Sequence, residues 1–223
     1  MNSYLATLIT AVSQVPPYIV SNCLYKEKND KIGYINERGF AYELYRQWQN
    51  LVEDNPDDLV VNAEVAKKTE RYEEILTKIY NTQDKEILHT CFYPDLVYHH
   101  SQFDSIAQEI ICEIKTIDRL KKIKKSLLWD IEKLAAFMEN DLLILGKFNI
   151  GVFILVGGDF SQIKEILTEV IDDQNDNICK IGNNIYERIN EIYCITYNIK
   201  EEKELYLPEV LCETIEEILK RKT

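Results

Sequence analysis

The feature that most restricts the fold is the run Ile150-Gly151-Val152-Phe153-Ile154-Leu155-Val156, apolar throughout and closed by Gly157-Gly158. A strand without polar alternation has no face to give to water, so it belongs inside a sheet covered on both sides. The segment just upstream supplies a helix that crosses over to it: Leu127, Leu128, Ile131, Leu134, Ala135 and Met138 recur at helical spacing. Together these segments predict an α/β fold in which helices flank a mixed sheet.

Further elements fall on both sides of this unit. Asn36 is placed to cap a helix through Phe40, Leu44, Trp48 and Leu51, which Asn55-Pro56-Asp57-Asp58 ends. Leu59 to Val65 is rich in β-branched residues and predicts a strand, and Lys67 to Tyr80 a charged helix. Ile87 to His99 and Gln108 to Thr116 then read as a strand pair separated by the polar Ser101 to Ser105. Beyond Gly158 the pattern predicts a helix over 161–171, a polar loop over 172–177 and a strand over 192–197, with Pro208 opening a last helix.

With seven glycines and five prolines in 223 residues, little of the chain suits a long linker, and one domain over 1–223 is expected. Near the N-terminus Tyr4, Leu5, Leu8, Ile9 and Val12 are interrupted by polar residues before Pro16-Pro17, the pattern of a short amphipathic helix and not of an export signal. The longest apolar run is too short to cross a bilayer, so a cytoplasmic protein without a membrane partner is expected. Cys23, Cys91, Cys112, Cys179, Cys194 and Cys212 form no close pair, several sit in apolar runs, and buried reduced thiols are the expectation. Three histidines without ligand spacing to any cysteine disfavour zinc.

Net charge of -12 argues against a protein that coats nucleic acid nonspecifically. The charge is uneven, however. Between residues 115 and 133, Lys115, Arg119, Lys121, Lys122, Lys124, Lys125 and Lys133 outnumber Asp118, Asp130 and Glu132, leaving a local basic face.

The chemistry concentrates on the strand pair. Period two places Glu113 with Lys115, Ile111 and Glu109 on one face and Ile110, Cys112 and Ile114 on the other, while Asp95 sides with Val97 and His99. Two carboxylates and a lysine brought to one point suit metal-assisted phosphodiester hydrolysis: the acids hold a hard cation, and the ammonium orients water and offsets charge on the phosphate. The other motifs point nowhere comparable. His89, His99 and His100 lack a nucleophile, Gly157-Gly158-Asp159 lacks the Lys-Ser/Thr of a phosphate-cradling loop, and Tyr42, Tyr45 and Trp48 read as helix packing.

Across residues 36 to 156 the chain resembles the PD-(D/E)XK nuclease superfamily. Pro94-Asp95 matches the first half of its signature and Glu113-Ile114-Lys115 the second, while Glu43 matches an upstream helical glutamate and Asp130-Ile131-Glu132-Lys133-Leu134 a polar patch on the following helix. The resemblance implies a restriction endonuclease-like fold with an αβββαβ core, the N-terminal helix and C-terminal segments being additions. It implies a Mg-dependent nuclease, with Mn as substitute, in which Asp95, Glu113 and the carbonyl of Ile114 hold the metal and Lys115 assists the attacking water. Glu43 would hold a metal-bound water or a second metal, and Lys133 would contact the scissile phosphate. DNA is the expected partner, with RNA open, alongside a homodimer mate or partner subunit. The alternative is an inactive nuclease-fold binding or scaffold subunit of a larger assembly.

Overall fold

The computed structural model describes residues 2–21, 37–53, 59–63, 94–100, 108–122, 124–138, 148–172, 188–202 and 205–221. Its elements are α1 (Ser3–Ser13), α2 (Pro17–Ser21), α3 (Glu37–Val52), β1 (Leu59–Ala63), β2 (Leu96–His100), β3 (Gln108–Thr116), α4 (Ile117–Lys122), α5 (Lys124–Met138), β4 (Phe148–Val156), α6 (Phe160–Asp172), β5 (Tyr193–Glu202), β6 (Leu205–Thr214) and α7 (Ile215–Lys220). The Asn36 cap, the 67–80 helix, the whole 87–93 stretch and the polar loop after Asp172 lie outside the described residues.

The strands form a six-stranded mixed sheet in the order β1-β2-β3-β4-β5-β6. β1, β2 and β3 make an antiparallel meander, β4 lies parallel to β3 and β5 parallel to β4, and β6 returns antiparallel at the far edge. The parallel β3–β4 pair requires a crossing connection, and α5 supplies it, lying over both strands. Its close approach depends on Gly151, where a Cβ would meet Met138 Sδ at 2.5 Å and Leu134 Cβ at 3.4 Å. β4 ends as the expected buried strand does, at Gly157, whose φ of 77° favours glycine and whose N–H donates to the Tyr197 carbonyl at 2.8 Å.

Two apolar cores cover the two sides. On one side α1, α2 and α3 pack Leu5, Leu8, Phe40, Leu44 and Trp48 onto Leu96, Tyr98, Ile110, Cys112 and Ile114. On the other, α4, α5, α6 and α7 pack Leu120, Leu127, Ile131, Leu134 and Ile163 onto Val97, Ile111, Phe153 and Leu155. The alternation expected of β3 therefore holds, with Ile110, Cys112 and Ile114 on one side and Ile111 on the other. The packing reading of Tyr42, Tyr45 and Trp48 holds for Trp48, buried against Tyr98 with ring centroids 5.5 Å apart, and in part for Tyr45, but not for Tyr42, which is 57% exposed. Cys112 and Cys194 are buried free thiols.

Two expectations need correction. Pro208 does not open a helix: it lies within β6, paired with Ile199, and the last helix begins at Ile215 behind a Thr214/Glu217 capping box. β6 is an edge strand, where a missing N–H costs no ladder bond on the open side. The helix through Phe40, Leu44, Trp48 and Leu51 is present as α3, with Leu51 exposed near its end. Asp95 is not a strand residue; it occupies a bend directly before Leu96, so strand parity does not set its direction.

Candidate active site

Within the otherwise apolar interface between β3 and α5 lies a group of buried charged side chains. Glu113 and Lys115 project from β3 toward α5, which answers with Asp130 and Lys133, and all four are at most 8% exposed. Asp130 and Lys133 are one turn apart and so share a helix face. Lys133 Nζ lies 2.6 Å from Glu113 Oε1, and Lys115 Nζ lies 3.1 Å from Asp130 Oδ2. Lys133 also approaches Asp130 Oδ1 at 3.8 Å, so Asp130 bridges the two ammonium groups.

Asp95 closes the group from the bend before β2. Its Oδ2 accepts the Ile114 N–H at 2.7 Å, which anchors its carboxylate beside Glu113 and Lys115. The Ile114 carbonyl faces Lys115 Nζ at 3.4 Å, so both main-chain groups of Ile114 belong to the cluster. The structure thus brings Asp95, Glu113, Ile114, Lys115 and Lys133 together and adds Asp130, which the resemblance placed only within a polar patch.

The helical glutamate is different. Glu43 accepts hydrogen bonds from Arg46 at 2.6 Å and Gln47 at 2.8 Å on the outer part of α3. The α3 carboxylate that acts on the cluster is Glu37, in the first turn, whose charge couples to Lys115 and which takes Arg119 Nη1 at 2.7 Å. Six residues separate the two glutamates, about 9 Å of rise and some 240° of rotation, so one helix cannot aim both at one point. The sequence carries a signal for their azimuth: Glu37 falls on the stripe of Phe40, Leu44 and Trp48, while Glu43 stands about 100° from its centre.

Burial dominates the electrostatics. Three carboxylates face two ammonium groups in a space nearly without water, and desolvation lifts Glu113 to about 8 although Lys133 opposes it. Asp95 is raised for the same reason, against the pull of Lys115 and the Ile114 N–H. Glu37 is raised by its burial too. Burial alone would lower Lys115 and Lys133, but the surrounding carboxylates outweigh it and hold both ammonium groups above the ordinary lysine range.

The remaining expected groups lie elsewhere. His99 Nε2 is 2.7 Å from Asn62 Nδ2, a cross-strand contact between β2 and β1. Asp159 caps α6, its Oδ1 accepting the N–H groups of Ser161 at 2.8 Å and Gln162 at 3.1 Å. Lys121 and Lys122 are exposed on α4, a short helix directly after β3.

The donors suit a hard divalent ion. Asp95, Glu113, Asp130 and the Ile114 carbonyl offer oxygen alone, and the buried Glu113 Oε1 and Asp130 Oδ2 meet lysines as ion pairs without a directed hydrogen bond. As the side chains stand, no trio of histidine, cysteine, aspartate or glutamate among the described residues surrounds a single point, and Lys133 holds the place beside Glu113.

The fold and cluster define a mixed α/β protein with a buried carboxylate and lysine centre. No protein-family model, curated protein or solved structure matches the chain. Among the described residues no helix is long and apolar enough to cross a membrane.

Proposed function

We propose that this chain is a divalent-metal-dependent nuclease with a restriction endonuclease-like fold, hydrolysing phosphodiester bonds in DNA. The observation that carries the reading is the convergence of Asp95, Glu113 and Lys115 at the ends of neighbouring strands, with the Ile114 main chain between them. The order α3, β1, β2, β3, α5, β4, with its antiparallel meander and crossing to a parallel strand, supports the αβββαβ core that the sequence resemblance implies.

In this reading Asp95, Glu113 and the Ile114 carbonyl hold Mg2+, or Mn2+ as substitute. The ion would supply Lewis acidity to the phosphate and make bound water a better nucleophile at neutral pH. Lys115, fixed by Asp130 and kept charged, orients the attacking water and stabilises charge on the phosphoryl oxygens. Lys133 pairs with Glu113 at 2.6 Å while no cation is bound and is placed to turn toward the scissile phosphate when one is. Glu37, in place of Glu43, is the helical carboxylate within reach of the centre. A homodimer mate or a partner subunit would supply further positive surface for an acidic chain, and RNA is a second candidate substrate.

Incubation of the purified chain with plasmid, linear duplex and single-stranded DNA in Mg2+, Mn2+ or EDTA tests the reading. Metal-dependent cleavage that Asp95→Ala and Lys115→Met abolish is the expected result; absence of cleavage with every substrate and metal sinks it. One observation favours a second reading, an inactive binding or scaffold subunit: Glu113 with Lys133 and Asp130 with Lys115 already pair with one another. Nucleic-acid or protein binding without cleavage identifies that case.

A further inference from the structure

One large aromatic stands out beside the cluster. Trp129 is 47% exposed on α5, although its neighbours Leu128 and Asp130 are buried. It lies four residues before Lys133, and on a helix that spacing puts two side chains on the same face about one turn apart. The stripe Ser126, Trp129, Asp130 and Lys133 therefore runs from the surface into the charged centre, and Trp129 lies at its outer margin. The chain's other tryptophan, Trp48, is fully buried in the opposite core, so the exposure of Trp129 is not shared by its type.

Cationic residues lie on the helix that precedes this stripe in the chain. α4 immediately precedes α5 and carries the exposed Lys121 and Lys122 together with Arg119, which reaches Glu37 near the centre at 2.7 Å. An exposed indole four residues before Lys133, on the helix that carries half of the charged centre, with exposed lysines on the helix before it, offers the two parts that single strands need: a π surface for a base and positive charge for the backbone. Duplex bases are already stacked on both faces except at their ends, so only an unpaired nucleotide can cover the indole.

We infer that Trp129 is a stacking platform for an unpaired nucleobase next to the phosphate held at the Asp95–Glu113–Lys115 centre, which makes single-stranded nucleic acid, or a frayed end, the preferred substrate form. This inference rests on the nucleic-acid reading of the centre, but stacking needs no cleavage and can be tested apart from it. Trp129 contacts substrate in binding and takes no part in bond breaking.

The test is a fluorescence titration in EDTA, where cleavage is silent, with an oligothymidylate of about 12 nucleotides and a blunt duplex of equal length. Oligothymidylate should quench the wild-type emission, and the quench should vanish in Trp129→Phe because Trp48 is inaccessible. By anisotropy, Trp129→Ala should weaken single-strand binding about tenfold, Trp129→Phe by much less, and duplex binding should change little. An oligouridylate arm distinguishes RNA from DNA as the source of the base. Single-strand affinity unchanged in Trp129→Ala, or lost equally for duplex, overturns the proposal. Failure of the wild type to bind either oligonucleotide overturns it as well. Cleavage that persists with Trp129 irrelevant leaves the nuclease reading standing and removes the platform; quenching without cleavage in any metal does the reverse.

Discussion

The two sides of β3 make the sharpest contrast in the molecule. Toward α3 the strand presents Ile110, Cys112 and Ile114 to an apolar core, while toward α5 it presents Ile111, Glu113 and Lys115. The first side is held by burial of apolar surface, which needs no directional partner. The second removes ionisable groups from water, where mutual attraction seldom recovers the full desolvation cost. Charged residues in that position contribute less to stability than apolar groups of equal size would, a cost that the proposed nuclease reading accounts for.

Substitutions at the centre should break the contrast most severely in activity. Asp95→Ala and Lys115→Met are each expected to lower metal-dependent cleavage by about a thousandfold or more, near 4 kcal/mol of transition-state stabilisation. Circular dichroism and thermal melts of the same variants should show a folded chain. A variant that melts normally yet cleaves like wild type removes its residue from the chemistry.

Stability separates the sides next. Leu44→Ala on the apolar side should cost about 2–5 kcal/mol, since the cavity it leaves is enclosed by helix and sheet. On the charged side, Lys133→Met alone should cost roughly 3 kcal/mol, the low end for a broken buried pair, because burial already raises Glu113 to about 8 and loss of the ammonium raises it further, so no bare carboxylate is left behind. The double change Glu113→Leu with Lys133→Met should be neutral or stabilise by about 1–4 kcal/mol while abolishing activity. Urea denaturation of the four proteins gives these values, and a strongly destabilised double variant would show that the pair holds the fold.

The pH dependence follows from the direction of the shifts. Glu113 rises from 4.5 to about 8 on folding, so between those values the native chain retains a proton that the unfolded chain has released. Stability from this group is thus greatest below about 4.5, declines as pH rises through the window and levels off above 8. Asp95 and Glu37, also raised by burial, act in the same sense, and the lysines stay charged throughout. Without metal, Glu113→Gln should flatten part of that decline. With Mg2+ the gain in melting temperature should grow from pH 6 to pH 8.5, because cation and proton compete for one carboxylate. A gain independent of pH would place any bound ion away from Glu113.

Much of this arrangement was legible in the sequence, because period and burial are local properties. The limits of β3, the helix through Leu127 to Met138, the buried strand before Gly157 and the division of β3 into two sides all follow from spacing. What escaped depends only in part on tertiary placement. Asp95 lies one residue outside its strand and is aimed by a bond from Ile114, which no spacing rule describes. Glu37 and Glu43 are chemically identical, and what separates them is the buried stripe of Phe40, Leu44 and Trp48, which Glu37 shares and which the match to Glu43 passed over. Pro208 suggested a helix start because proline fits a first turn, yet it fits an open sheet edge equally well. The better signal was Thr214 followed three residues later by Glu217, the pair that caps the final helix.

The two glutamates of α3 provide the finest comparison. Glu37→Gln removes a charge coupled to Lys115 and the carboxylate that takes Arg119, so it should reduce cleavage about tenfold with little change in fold. Glu43→Gln should leave cleavage unchanged and shift the melting temperature by no more than about 2 °C, because its partner Arg46 is solvent-exposed and the pair spans a single turn. The ordering is what matters. If Glu43→Gln proved the more damaging of the two, the N-terminal turn of α3 would not border the catalytic space, and the position of Arg119 and the α4 cations beside the proposed strand path would lose its support.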